Sequence, residues 1–184
     1  MIAYVDESIR SSGHRLYVVA AVVVIDDPQP PREAMLSMVL PGQRRYHWHD
    51  ESHARRLAMV DRIAGLGVTV FGYVHRDPGA RQERARALCL RRALWDMDQH
   101  GVAELVIETR HASADRRDRQ TIVRAQQAGE AAATLVYGFE KPDDQPLLWL
   151  PDAAAGAIAA AAAGETLDYL GRLGRCVEVV EVGT

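Results

Sequence analysis

Three acidic residues stand where a folding chain usually avoids charge. "IAYVDES" (2–8) climbs through apolar residues into Asp6 and Glu7; "AELVIETR" (103–110) ends its apolar run at Glu108; "LLWLPDAAAGAIAAAAAG" (147–164) sets Asp152 at the start of an alanine-rich stretch. Carboxylates gathered without cationic partners in a low-dielectric site repel one another strongly. Divalent metal relieves that repulsion. Two Mg²⁺ or Mn²⁺ ions about 4 Å apart, bridged by one Asp, bind the attacking and leaving oxygens of a phosphodiester. Mg²⁺ takes hard oxygen ligands and keeps several waters, so few protein carboxylates are needed. Asp6, Glu108 and Asp152 are therefore candidate metal ligands and catalytic acids. Ordinary roles stay open beside this one: a turn-forming Asp6, an Asp152 that caps a helix after Pro151, and a Glu108 paired with Arg110.

Other stretches could assist. If the first strand is regular, Glu7 points to the face opposite Asp6 and serves a structural role. In "RYHWHDES" (45–52), His47 and His49 alternate to one side of an extended segment, with His53 nearby. The three could chelate a transition metal, His47 and His49 could touch substrate or move a proton, or the group could be an ordinary surface cluster. Trp48 is expected in the core rather than against a base. "ETRHASADRRDRQ" (108–120) brings Arg110, Arg116, Arg117 and Arg119 against Asp115 and Asp118 at a helix start, with Ser113 as the candidate cap. That is either a phosphate-binding arrangement, with Arg110, Arg116 and Arg117 as substrate contacts, or a solvated face of internal Arg–Asp pairs. The arginines between 81 and 92 read as a wet helix face.

The elements that must position these residues follow from apolar periodicity. Strands are expected at 2–7, 15–25, 68–75, 103–110, 134–140 and 176–182, the second buried on both faces. A turn falls at "SSGH" (11–14). Helices are expected at 32–40, 51–67, 81–99, 113–129 and along the alanine-rich stretch, with "PGQRRYHWHDES" irregular or a short strand. The small residues of "GAIA" would let the last helix pack close to the sheet. The order is β-β-(helical insert, 26–66)-β-α-β-α-β-α, followed by an extra C-terminal strand. It predicts an α/β domain over 1–184 with a mixed sheet of ribonuclease H-like type, in which strands one to three are antiparallel and strand four runs parallel to strand one. Asp6 and Glu108 then share the carboxyl edge of neighbouring parallel strands, where α/β sheets bind ligands.

Composition narrows the rest. The chain has 184 residues, enough for one core, and its net charge of −3 does not advertise a polyanionic partner. Lys141 is the only lysine; the other cations are arginines, which grip phosphate in a bidentate way. Cys89 and Cys176 have no metal spacing and are expected to be reduced thiols. Neither a secretory leader nor a membrane span is evident, which predicts a cytoplasmic protein with no membrane partner.

The motifs "YVDES", "LYVVAAVVV", "VIETRHASADRRDR" and "LLWLPDAAAGAI" together resemble the family designated domain of unknown function 3800, over nearly the whole chain. That family opens on a DES-type motif and carries a late Asp motif at the start of a helix. The resemblance implies a ribonuclease H-like fold and a metal-dependent nuclease, with Asp6, Glu108 and Asp152 as its acids. Ile9 stands where many members have Gly, which changes the first turn rather than the acid. Two functions are thus expected in competition. One is a Mg²⁺- or Mn²⁺-dependent phosphodiesterase on DNA or RNA; the other is a non-catalytic module of the same fold that binds nucleic acid or protein. Hydrolysis of a small phosphate ester or nucleotide stands as a third reading that fits the modest net charge.

Overall fold

The computed structural model describes residues 1–10, 15–76 and 82–183. The turn expected at 11–14 and the first residue of the helix expected from 81 lie outside them. Six strands form one mixed sheet: β1 (Ile2–Arg10), β2 (Leu16–Val24), β3 (Thr69–His75), β4 (Glu104–Glu108), β5 (Val136–Glu140) and β6 (Val177–Glu181), in the order β5-β4-β1-β2-β3-β6. β1 pairs antiparallel with β2 and β2 with β3, while β4 runs parallel to β1, β5 to β4 and β6 to β3. The antiparallel and parallel pairings expected of the first four strands are those observed.

β2 is buried along its whole length because the sheet is covered on both sides. On one face lie Val18, Ala20 and Val22, packed under α5 (Trp149–Ala162) and α2 (His53–Ala64). On the other lie Val19, Ala21 and Val23, under α3 (Gln82–Gln99) and α4 (Ala112–Gln127). Among the described residues, no helix is long and apolar enough to cross a membrane, and both cysteines are free.

Several boundaries differ from expectation. The insert between β2 and β3 holds α1 (Gln29–Leu36) and α2, joined by turns and a short 3-10 stretch, Trp48–Asp50, with no strand. α1 begins before residue 32 because Pro30 and Pro31 fit a first helical turn, whose N–H groups have no helical acceptor. α4 starts at Ala112, and its cap is His111, whose Nδ1 accepts the Ala114 N–H at 3.3 Å; Ser113 only touches the same ring nitrogen. A further helix, α6 (Asp168–Leu173), packs against α2.

The alanine-rich α5 lies close to the sheet, against β1, β2 and β3, with Ala153, Ala154 and Ala157 buried. Gly72 on β3 makes room for Ile158, whose Cδ1 would stand 2.5 Å from a Cβ at that position. Gly156 faces away, against the indole of Trp48, whose nearest atoms would stand 2.3 Å from a Cβ.

Candidate active site

Pleating alternates the side chains of β1 between the faces: Tyr4 packs toward α5, while Ala3 and Val5 pack toward α3. Asp6 follows Tyr4 to the α5 side and is 8% exposed. On β4, Val106 faces α5 and Leu105 and Ile107 face the other layer, so Glu108 also turns toward α5. Val5 is registered with Ile107, which sets Asp6 beside Glu108. Glu108 closes β4, whereas Asp6 lies midway along β1, which runs on past the expected end at residue 7 to Arg10. The third acid arrives from across the cleft. Asp152, in the first turn of α5, accepts the Trp48 N–H at 2.8 Å through Oδ2. All three line one cavity of about 300 Å³, with Ser8, Arg45, His47 and His49 among its other walls.

The electrostatics are those of an uncompensated cluster. Burial pushes the Asp6 carboxyl well above its ordinary value of 3.8, and Glu7, Glu108 and Asp152 push it further; the Glu7 N–H on Oδ1, at 2.7 Å, opposes them. Glu108 is raised by burial and by Asp152, against a partial offset from Arg45. Burial also raises Asp152, whose bond from Trp48 N–H and whose neighbours His47, His49 and Arg45 work the other way. Among the described residues, none of the three acids forms an ion pair within 4.0 Å.

Glu7 is the contrast. It points to the far face, as its neighbour's position requires, and meets Arg86 Nη1 at 2.6 Å. Arg86 is 1% exposed and its Nε bonds both oxygens of Asp118, at 3.1 and 3.0 Å. Arg110 completes the network, 3.6 Å from Glu7, 3.1 Å from Glu83 and 3.1 Å from Asp118. Of the two adjacent carboxylates in "DES", one is therefore neutralised by buried arginine and the other is not. Arg86 is no wet-face residue, contrary to the reading of the 81–92 arginines. It shares a helical stripe with the buried Ala85, Cys89 and Leu90.

The remaining candidates are divided by the fold. Arg110 reaches the cavity wall, with its charge engaged as described, and it pairs with Glu7, Glu83 and Asp118 rather than Glu108. Arg117 lies 3.6 Å from Glu83, and Arg116 is exposed on α4; neither lines the cavity. Asp115 takes the Thr109 hydroxyl at 2.7 Å and the Arg110 N–H at 3.0 Å, and Arg119 covers the Phe139 ring, so internal partners dominate this helix start. His47 and His49 stand together at the cavity, their rings 5.8 Å apart, with His47 Nδ1 2.9 Å from Asp50. His53 leaves them, its Nδ1 2.7 Å from the Tyr169 hydroxyl. Trp48 is in the core, as expected, at 1% exposure. Arg45 is the residue sequence reasoning passed over, although it opens the same histidine motif.

The donors available to a cation are carboxylate oxygens, backed by the buried, unpartnered hydroxyls of Ser8 and Tyr46 in the cavity wall. This set suits a hard divalent ion rather than a soft one. Among the described residues, no three His, Cys, Asp or Glu side chains stand so that they could hold a metal ion as they are.

No protein-family model matches the chain, nor does the sequence of any curated protein, so the likeness to domain of unknown function 3800 rests on its motifs. Among solved structures, a ribonuclease HII in a complex with PCNA from Archaeoglobus fulgidus is similar. Its TM-score is 0.60 at 14% identity, over 94% of this chain and 78% of that one. At that identity the likeness speaks for architecture, and the fold is ribonuclease H-like.

Proposed function

We propose that the protein is a Mg²⁺- or Mn²⁺-dependent phosphodiesterase that cleaves nucleic acid, with Asp6, Glu108 and Asp152 as its metal ligands. The observation that carries this reading is the shared cavity of three carboxylates from β1, β4 and α5, each held above its ordinary pKa and none ion-paired. Such a cluster is destabilising unless a cation is meant to occupy it. When bound, divalent cations would neutralise the acids and polarise the scissile phosphate. Asp6, Glu108 and Asp152 are the residues that would hold them.

The chain's own groups supply the rest. The Trp48 N–H fixes one oxygen of Asp152 and leaves Oδ1 for a cation. The Glu7 N–H holds Oδ1 of Asp6, whose carboxyl also lies within hydrogen-bond reach of Glu108. Arg45, His47 and His49 line the same cavity, where the Arg45 guanidinium could meet phosphate oxygens. A non-catalytic module would need no uncompensated acids. The test is cleavage of mixed DNA and RNA substrates with Mn²⁺. Wild type should cleave and Asp6→Asn should not; equal rates, or no cleavage by wild type, would remove the phosphodiesterase reading.

A further inference from the structure

Two cavities meet beside the acids. The first holds Asp6, Glu108 and Asp152. The second, about 430 Å³, is lined by Gln43, Arg44, Arg45, His47, Asp50 and Asp143. Arg45 and His47 belong to both, so the cavities adjoin across these two side chains. The geometry points to the second cavity as a subsite for the phosphate next to the scissile one, so that the substrate is a polynucleotide chain rather than a single nucleotide. This rests on the acids acting on a phosphodiester and adds which part of the protein grips the neighbouring unit.

The charges favour this cavity over the other basic surface near the site. Arg110 and Arg86 are committed to Glu7 and Asp118 inside the network behind β1. Arg44 and Arg45 instead share one carboxylate, Asp143, at 2.8 and 3.5 Å. Two guanidinium groups thus share Asp143, while the other carboxylate of the cavity, Asp50, sits on His47 at 2.9 Å. The Arg44 side chain is 85% exposed, and an ion pair in that setting is weak enough for a phosphate to displace it. Guanidinium meets phosphate in a bidentate fork that a single carboxylate contact at 3.5 Å does not provide.

The subsite is also fixed relative to the acids. Trp48, three residues beyond Arg45, donates its N–H to Asp152, buries its ring on Gly156, and accepts Arg56 Nε on its carbonyl at 2.9 Å. One anchor thus sets both the third acid and the strand of chain that carries Arg45 and His47. A phosphodiester chain entering over Arg44 would reach the acids one unit later.

The experiment measures binding by the full-length protein in Ca²⁺ buffer, separately from cleavage. The probes are a single-stranded oligonucleotide, in deoxy and ribo forms, and a nucleoside monophosphate. The proteins are wild type, Arg44→Gln and the Arg44→Gln/Arg45→Gln double variant. The oligonucleotide should bind more tightly than the monophosphate, and its log K against log salt should flatten by about 0.7 for each arginine replaced. Arg44→Gln should weaken oligonucleotide binding, because Arg44 lines the second cavity. Equal affinity for the two probes, no oligonucleotide binding, or a salt slope unchanged in Arg44→Gln would overturn the subsite. If the slope stays unchanged while wild type still cleaves, only the subsite fails. If the slope flattens in a protein without cleavage, the subsite stands and the phosphodiesterase reading fails.

Discussion

Gly156→Ala puts one methyl group where the structure has no room for it. The added Cβ would lie 2.3 Å from Cδ1 and Nε1 of Trp48 and 2.6 Å from Cε2, whereas ordinary contact begins near 3.4 Å. The indole must retreat by roughly an ångström. It has nowhere to go cheaply, being 1% exposed and packed edge-on against Tyr169 at 4.9 Å, with Arg56 over its ring. Overpacking of this kind costs about 1–3 kcal/mol, against about 1 kcal/mol gained by replacing Gly with Ala inside a helix. The net expectation is a loss of up to about 2 kcal/mol in urea denaturation. A second effect separates this from generic strain. Displacing Trp48 weakens its N–H bond to Asp152, which helps hold that carboxyl down, so Mn²⁺ affinity should fall as well. Gly171→Ala is the control, because a Cβ there meets nothing within 4 Å. A Gly156→Ala protein as stable as wild type, with an unchanged Mn²⁺ titration, would refute the proposed coupling between the insert and the site.

Asp6→Asn keeps an acceptor for the Glu7 N–H and removes the most crowded charge. Because the folded Asp6 carboxyl titrates above its unfolded value near 3.8, its contribution favours the fold at low pH and is lost as pH rises through the folded pKa. With chelator present, the melting temperature of Asp6→Asn should therefore gain on wild type as pH rises above about 4, and Mn²⁺ should close the gap by stabilising wild type alone; a difference that does not vary with pH would count against the crowded carboxyl. Arg86→Met should cost about 3–5 kcal/mol by leaving Glu7 and Asp118 with an unpaired share of buried charge. A loss under about 1 kcal/mol in the same urea assay would show that Arg110 alone suffices.

What the sequence disclosed depended on how local each signal was. Glu108 at the end of an apolar strand, and the parallel pairing of β1 with β4, follow from apolar patterning and the order of elements, both written in short stretches of chain. The run of β1 past Asp6 to Arg10 does not, because it depends on pairing with β2. The neutralisation of Glu7 by Arg86 joins residues 79 apart, and the hold of Trp48 on Asp152 spans 104. Nothing in either neighbourhood announces the other. α6 is six residues long, too short to show a helical period against a polar background. His47, His49 and His53 look equivalent in sequence because spacing says nothing of Tyr169, which draws the third away. Arg45 went unnoticed beside two histidines for a related reason: its importance comes from facing Glu108 and Asp152, both supplied by distant segments.

The central claim is that Asp6, Glu108 and Asp152 form a seat for divalent metal. Crystals soaked in Mn²⁺ and measured near the manganese absorption edge test it most directly. Anomalous density should appear in the cavity between the three carboxylates, within coordination distance of Asp6, and should vanish in Asp6→Asn. A cavity without anomalous density at saturating Mn²⁺, or density seated on His47 and His49 instead, would contradict the account.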